Sequence, residues 1–166
     1  MKALNTHKRF LKLLFLTTIL FFCVNFSFAQ TLTVTATQAI HFGTICLTGS
    51  SGTVTVGYDG SRTSTGNILL LSMAPIAQPA IFEIKLCPGG NVSVTFDATT
   101  TLTGSNGGSL TLDIGPTEKG PNGSVFATSS DCNIITPLHV GGTLHIPATA
   151  LAGTYTGSLA ITINQQ

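Results

Sequence analysis

The sequence predicts an all-β protein: one antiparallel β-sandwich behind an N-terminal export leader. Three observations carry this reading. Apolar and hydroxyl side chains alternate with period two in one segment after another. Turn-forming residues separate those segments at roughly 8–12-residue spacing, the punctuation of a sandwich. Threonine and serine make up about a quarter of the residues after the leader, and β-branched threonine suits a pleated, half-exposed surface. No segment of ten residues shows helical periodicity.

The leader comes first. Lys8-Arg9-Phe10-Leu11-Lys12 is a basic region, Leu13 to Val24 an apolar run, and Ser27-Phe28-Ala29 sets small residues at the −3 and −1 positions before Gln30. That order describes a secretory signal peptide, residues 1–29, cleaved after Ala29. An anchor helix needs about 20 apolar residues, and Asn25 and Ser27 interrupt this run. Phe21-Phe22 lack the small size that a lipoprotein signal requires before Cys23. Asn67 to Ile76 is apolar, but it contains Pro75 and is about half the length of a span. Residues 30–166 are therefore expected to be one exported domain with no membrane span after cleavage.

The strands follow in order. Leu32, Val34, Ala36, Ile40 and Phe42 share one parity, with Thr33, Thr35, Thr37 and His41 on the other. Val54–Tyr58 runs into the turn Asp59-Gly60, and Gly49-Ser50-Ser51-Gly52 before it reads as a loop. Phe82, Ile84 and Leu86 alternate with Glu83 and Lys85 until Pro88-Gly89-Gly90. Val92, Val94 and Phe96 alternate with Ser93 and Thr95. Thr99–Thr103 and Ser109–Ile114 flank Ser105-Asn106-Gly107-Gly108, which predicts a hairpin. Gly120-Pro121-Asn122-Gly123 opens a loop. Gly141-Gly142 interrupts an apolar strand and predicts a bulge or a close backbone approach. Tyr155, Leu159, Ile161 and Ile163 end the chain as an alternating strand.

Charge excludes one class of partner. Four of the seven cations (Lys2, Lys8, Arg9, Lys12) fall in the leader, which leaves Arg62, Lys85 and Lys119 against all six acids. A mildly acidic body argues against nucleic acid. Cys46, Cys87 and Cys132 follow the leader, and export permits a disulfide. Of the three pairings Cys87–Cys132 is favoured, because both residues sit at strand-to-loop transitions. An odd count leaves one thiol unpaired or bonded to another chain, and buried thiols that simply pack are the plain alternative.

Catalytic patterns are weak. Asp59, Glu83, Asp97, Asp113, Glu118 and Asp131 form no recognisable doublet, and no Gly-x-Ser-x-Gly elbow occurs. His41, His139 and His145 match no metal spacing. Asp59-Gly60-Ser61 and Asp131-Cys132-Asn133 lack the acidic density of a calcium loop and read as turns. No catalytic, cofactor or metal residue is assigned, and no enzyme activity is expected. Arg62, in the polar loop Gly60–Gly66, is the candidate partner contact; such an arginine otherwise bonds nearby carbonyls.

Phe42-Gly43, Gly52–Val56, Gly60–Gly66, Ala80–Ile84, Thr101–Gly104, Val140–Leu144 and Gly153-Thr154-Tyr155-Thr156-Gly157 together resemble the exported bacterial family called domain of unknown function 4402, from about Leu32 to Ile163. The resemblance implies an immunoglobulin-like β-sandwich, distantly similar to pilus subunits, and no assigned activity. Two features depart from donor-strand pilins: only Gln30-Thr31 precedes the first strand pattern after cleavage, and the ending Asn164-Gln165-Gln166 lacks a near-terminal aromatic. The expectation is a self-complete, non-catalytic structural or adhesive protein, periplasmic, at the cell surface or extracellular. It would meet a protein or glycan partner or assemble with itself. The other reading is a secreted carbohydrate- or small-ligand-binding module using loops Gly57–Gly66 and Gly115–Ser130, with only shallow grooves expected on the surface.

Overall fold

A computed structural model describes Lys12, Phe15 and residues 30–166 of the chain. Thr31–Gln166 form one compact unit. The signal-peptide reading falls, apart from Lys12 and Phe15, outside the described residues. Among the described residues no helix is long and apolar enough to cross a membrane.

This unit is an all-β antiparallel sandwich. Its strands are β1 (Thr31–Gln38), β2 (Ile45–Val56), β3 (Arg62–Leu70), β4 (Ala80–Cys87), β5 (Gly90–Phe96), β6 (Thr99–Gly104), β7 (Ser109–Thr117), β8 (Val125–Thr128), β9 (Thr136–Ile146), β10 (Tyr155–Thr156) and β11 (Ile161–Gln165). The main sheet runs β1-β4-β9-β7-β6-β10, with β2 and β3 joined to it through β9. The second sheet has only three strands, β11-β5-β8.

β9 organises the main sheet. Its first half pairs with β4, from Ile84↔Thr136 to Ala80↔Val140. Its second half pairs with β2, from Val56↔Gly142 to Gly52↔Ile146. β7 lines the opposite edge. The partner changes at Gly141, where the chain leaving β2 crosses so closely that an added Cβ would lie 2.5 Å from the Val56 carbonyl oxygen and 2.9 Å from the Tyr58 nitrogen. The glycine pair is thus a close backbone approach. The irregular register lies across from it, on β7 between Ile114 and Thr117.

Period-two alternation sends one side of each strand inward. Val54, Ile84, Val92, Val94, Leu138 and Val140 are fully buried, and Phe82, Leu86, Leu110, Leu112 and Leu144 are nearly so. Each such side chain contributes roughly 1.5–3 kcal/mol when removed from water. The predicted hairpin forms as β6–β7, with Thr103↔Ser109 as its innermost pair.

Three local expectations are corrected. Gly49–Gly52 is not a loop but part of β2, which absorbs the interruption as a register shift against β3 between Leu47 and Gly52. Gly60–Gly66 is a loop only up to Ser61; Arg62 opens β3. The first alternating segment breaks after Gln38, and beyond it His41 makes only an isolated bridge to Gln78. Along β1 the inward parity buries poorly. Leu32 is half-buried, but Val34 and Ala36 are exposed, at a margin the second sheet approaches mainly at β4, through β8.

Candidate functional site

Two kinds of site stand out: an apolar groove at one margin of the sandwich, and histidine–carboxylate pairs on the outer face of the main sheet.

The groove forms where the chain leaves both sheets. One wall is Ala39–Ile45, held by reciprocal backbone bonds between His41 and Gln78, each 2.9 Å. Arg62 fixes the end of that wall. Its guanidinium donates to the Thr44 carbonyl at 2.8 Å and the Leu71 carbonyl at 3.1 Å. The opposite wall is Gly153–Leu159, the segment that passes from β10 to β11. Gly157 lies against β6 with no room for a side chain, a Cβ there falling 2.5 Å from Leu102 Cδ2. Tyr155 donates its hydroxyl to the Leu151 carbonyl at 2.8 Å, which leaves its ring facing the groove lining. Leu102, Leu110, Leu112 and Leu144 form the floor. The open groove has a volume of about 570 Å³, within the roughly 300–1,000 Å³ of small-molecule sites.

The pairs sit on β9. His145 Nε2 meets Asp113 Oδ2 of β7 at 2.7 Å, and His139 Nδ1 meets Glu118 Oε2 at 3.0 Å, with Lys119 Nζ 3.5 Å from the other oxygen of Glu118. Partial burial pushes the Glu118 carboxyl upward. The hydrogen bond and charge of His139 and the charge of Lys119 outweigh it, so the group sits below its ordinary value. Asp59 is also lowered, by the Ser61 hydroxyl and backbone nitrogen, the latter 3.0 Å from Oδ1. Partial burial lowers Arg62. A carboxylate can orient an imidazole for proton transfer, but neither imidazole bonds a hydroxyl among the described residues. Nor does any group of three or more His, Cys, Asp and Glu among the described residues come together to hold a metal ion.

Cys87, the last residue of β4, is disulfide-bonded to Cys132 in the loop before β9, with Cα atoms 4.9 Å apart. Cys46 on β2 is a free, exposed thiol. Asp131 Oδ1 accepts from the Asn133 nitrogen at 2.9 Å, the side-chain turn expected beside Cys132. Arg62 is half-buried, and two of its nitrogens are committed to carbonyls. His139 and His145 alternate with the buried Leu138, Val140, Leu144 and Ile146 along β9 and so face outward. Asp113 and Glu118 carry no local mark; only the β7–β9 ladder brings them to the histidines.

The family described as Domain of unknown function (DUF4402) matches residues 32–165. The chain belongs to this family. No curated protein and no solved structure matches it. The match spans all eleven strands apart from Thr31 at the start of β1, so the groove, both histidine pairs and the disulfide are features carried by this DUF4402 domain.

Proposed function

We propose that the protein is an exported, non-catalytic structural or adhesive component of the bacterial surface or extracellular matrix, pilin-like in architecture. The observation that carries this reading is the outer face of the main sheet, where threonines, with one histidine and one aspartate among them, form cross-strand rows. One row is Thr65–Thr53–His145–Thr111–Thr101 and the next is Thr63–Thr55–Thr143–Asp113–Thr99. Thr53 and Thr65 share a hydrogen bond at 2.7 Å, and Thr55 and Thr143 another at 2.9 Å. Short β-branched side chains tied to one another have little freedom to lose on contact. Such a face works through rigid shape, and its strand edges offer further partners. The Cys87–Cys132 disulfide supports an oxidising destination.

Fractionation of native cells with non-reducing gels tests this. The reading expects the processed chain in a surface, fibre or medium fraction. A chain confined to the periplasm as a soluble monomer would refute it.

One observation favours the second reading, a secreted small-ligand module: the apolar groove. It lies between 39–45 and 153–159 rather than on the loops near Gly57 and Gly115. A thermal-shift screen with amphiphilic and aromatic small molecules, beside a glycan array, tests that reading, and silence in both removes it.

A further inference from the structure

Among the described residues the main sheet ends on β1, and that edge carries few of the usual guards. Natural sheets blunt their edges with charge, proline, bulges or short length. β1 runs Thr-Leu-Thr-Val-Thr-Ala-Thr-Gln, with no charge and no proline, and it pairs regularly with β4 from Thr31↔Cys87 to Ala36↔Phe82 before its single register shift. The other edges are guarded. β3 opens on Arg62 and is broken by Gly66 at φ +70, while β8, β10 and β11 are short. The margin beside β1 is also apolar. Val34 is 40% exposed, and β8, the edge of the second sheet that packs on β4, leaves Val125 54% exposed.

We propose that this edge pairs, antiparallel and about a two-fold axis, with β1 of a second copy of the chain, making one continuous sheet across two molecules. A second copy is the occupant because the strand is self-complementary. Centred on Val34, the pairing sets Val34 against itself, Thr33 against Thr35 and Leu32 against Ala36, and it ends where β1 shifts register at Thr37. Aliphatic then meets aliphatic on the inner side and threonine meets threonine on the outer, the pairs that stabilise antiparallel ladders. The neighbouring strand agrees in charge. Thr33 lies beside Lys85 and Thr35 beside Glu83 on β4, so each outer row across the dimer carries Lys85 at one end and the partner's Glu83 at the other. An isologous contact of this kind closes at two copies. It deepens the assembly reading above and rests on it only for its biological setting.

The test uses the chain as cells export it, carrying Cys46→Ser so that no intermolecular disulfide contributes, in sedimentation velocity over a concentration series. The parent is expected to dimerise reversibly. Thr33→Lys/Thr35→Lys sets lysine against lysine across the axis and should weaken the dimer roughly tenfold or more. Thr33→Glu/Thr35→Lys sets glutamate against lysine and should dimerise as well as the parent or better. Far-UV circular dichroism checks that both variants keep the sheet; an unfolded variant is replaced by the single change Thr35→Lys, which should weaken the dimer in the same direction. A parent that stays monomeric at every concentration overturns the inference, as does a matched variant that dissociates like the lysine pair. A monomer in solution alongside a surface fraction in cells would sink this contact and leave the surface reading standing.

Discussion

Cutting the Cys87–Cys132 bond gives the most quantitative check on how this fold is held. The bond spans a sequence separation of 45 residues, and the loop it closes contains β5, β6, β7 and β8. In the native state the constraint costs little, because β4 and β9 already pair at Ile84↔Thr136, just outside the loop that the two cysteines close. The effect therefore lies in the unfolded chain. A cross-link over such a loop removes conformational entropy worth about 4 kcal/mol at 25 °C. At roughly 2.1 cal/mol/K of unfolding entropy per residue, a domain of this size should lose about 14 °C in Tm. The comparison is Cys46→Ser against Cys46→Ser/Cys87→Ala/Cys132→Ala in urea and in thermal melts. The bond-free chain should also show a larger urea slope, since its unfolded state exposes more surface. A loss under about 1 kcal/mol with an unchanged slope would refute the argument, since measured native disulfides in small domains typically contribute about 2–5 kcal/mol.

Three further outcomes are expected. Gly141→Ala puts a methyl group 2.5 Å from the Val56 carbonyl oxygen, a contact with backbone that cannot rotate away; a loss of about 1–3 kcal/mol in urea is expected, while Gly60→Ala, with open space around it but φ +82, isolates the cost of backbone strain alone. Arg62→Ala removes charge-assisted bonds to Thr44 and Leu71, so destabilisation of about 1.5–3 kcal/mol should come with faster amide exchange in 39–45, one wall of the groove. Because Glu118 is held below its ordinary value when folded, its contribution is present above the usual carboxylate range and lost as pH falls through the lowered value; Glu118→Gln should flatten part of the acid limb of a stability–pH profile and leave the difference from wild type smallest at low pH.

How much the sequence revealed follows from the range of each signal. Alternation is local, so Phe82-Ile84-Leu86 and Val92-Val94 declared their buried sides without any knowledge of neighbours. The β6–β7 hairpin was legible for the same reason: its turn residues and both strands are contiguous. Gly49–Gly52 misled because four small residues resemble a turn, yet β2 is long enough to carry them as an irregularity between two paired stretches. Arg62 misled through its neighbours Gly60 and Ser61, since turn chemistry marks where a strand starts only to within a few residues. The two histidine pairs and the groove were illegible. Each joins segments distant in sequence, and which strands flank β9 is a property of topology that no window of residues encodes.

The inequality of the two sheets decides what sort of assembly this domain can make. A three-stranded sheet cannot cover an eight-stranded one, so two margins stay incomplete: a groove opens over the leucine floor at one, and Val34 is exposed along β1 at the other. The centre is nevertheless complete: Leu138, Val140, Val54 and Val94 have no exposed surface. A subunit missing a strand from its interior would depend on a donated one to fold, whereas uncovered margins only reward association. The dissociated Thr33→Lys/Thr35→Lys variant should therefore unfold in one cooperative step, at a Tm that does not change with dilution, whereas a strand-dependent fold would melt lower as protein concentration falls. Should that variant lose its cooperative transition on becoming monomeric, β1 contact would be part of the core rather than a bond between finished domains, and the domain would have to be counted as a subunit completed by its neighbour.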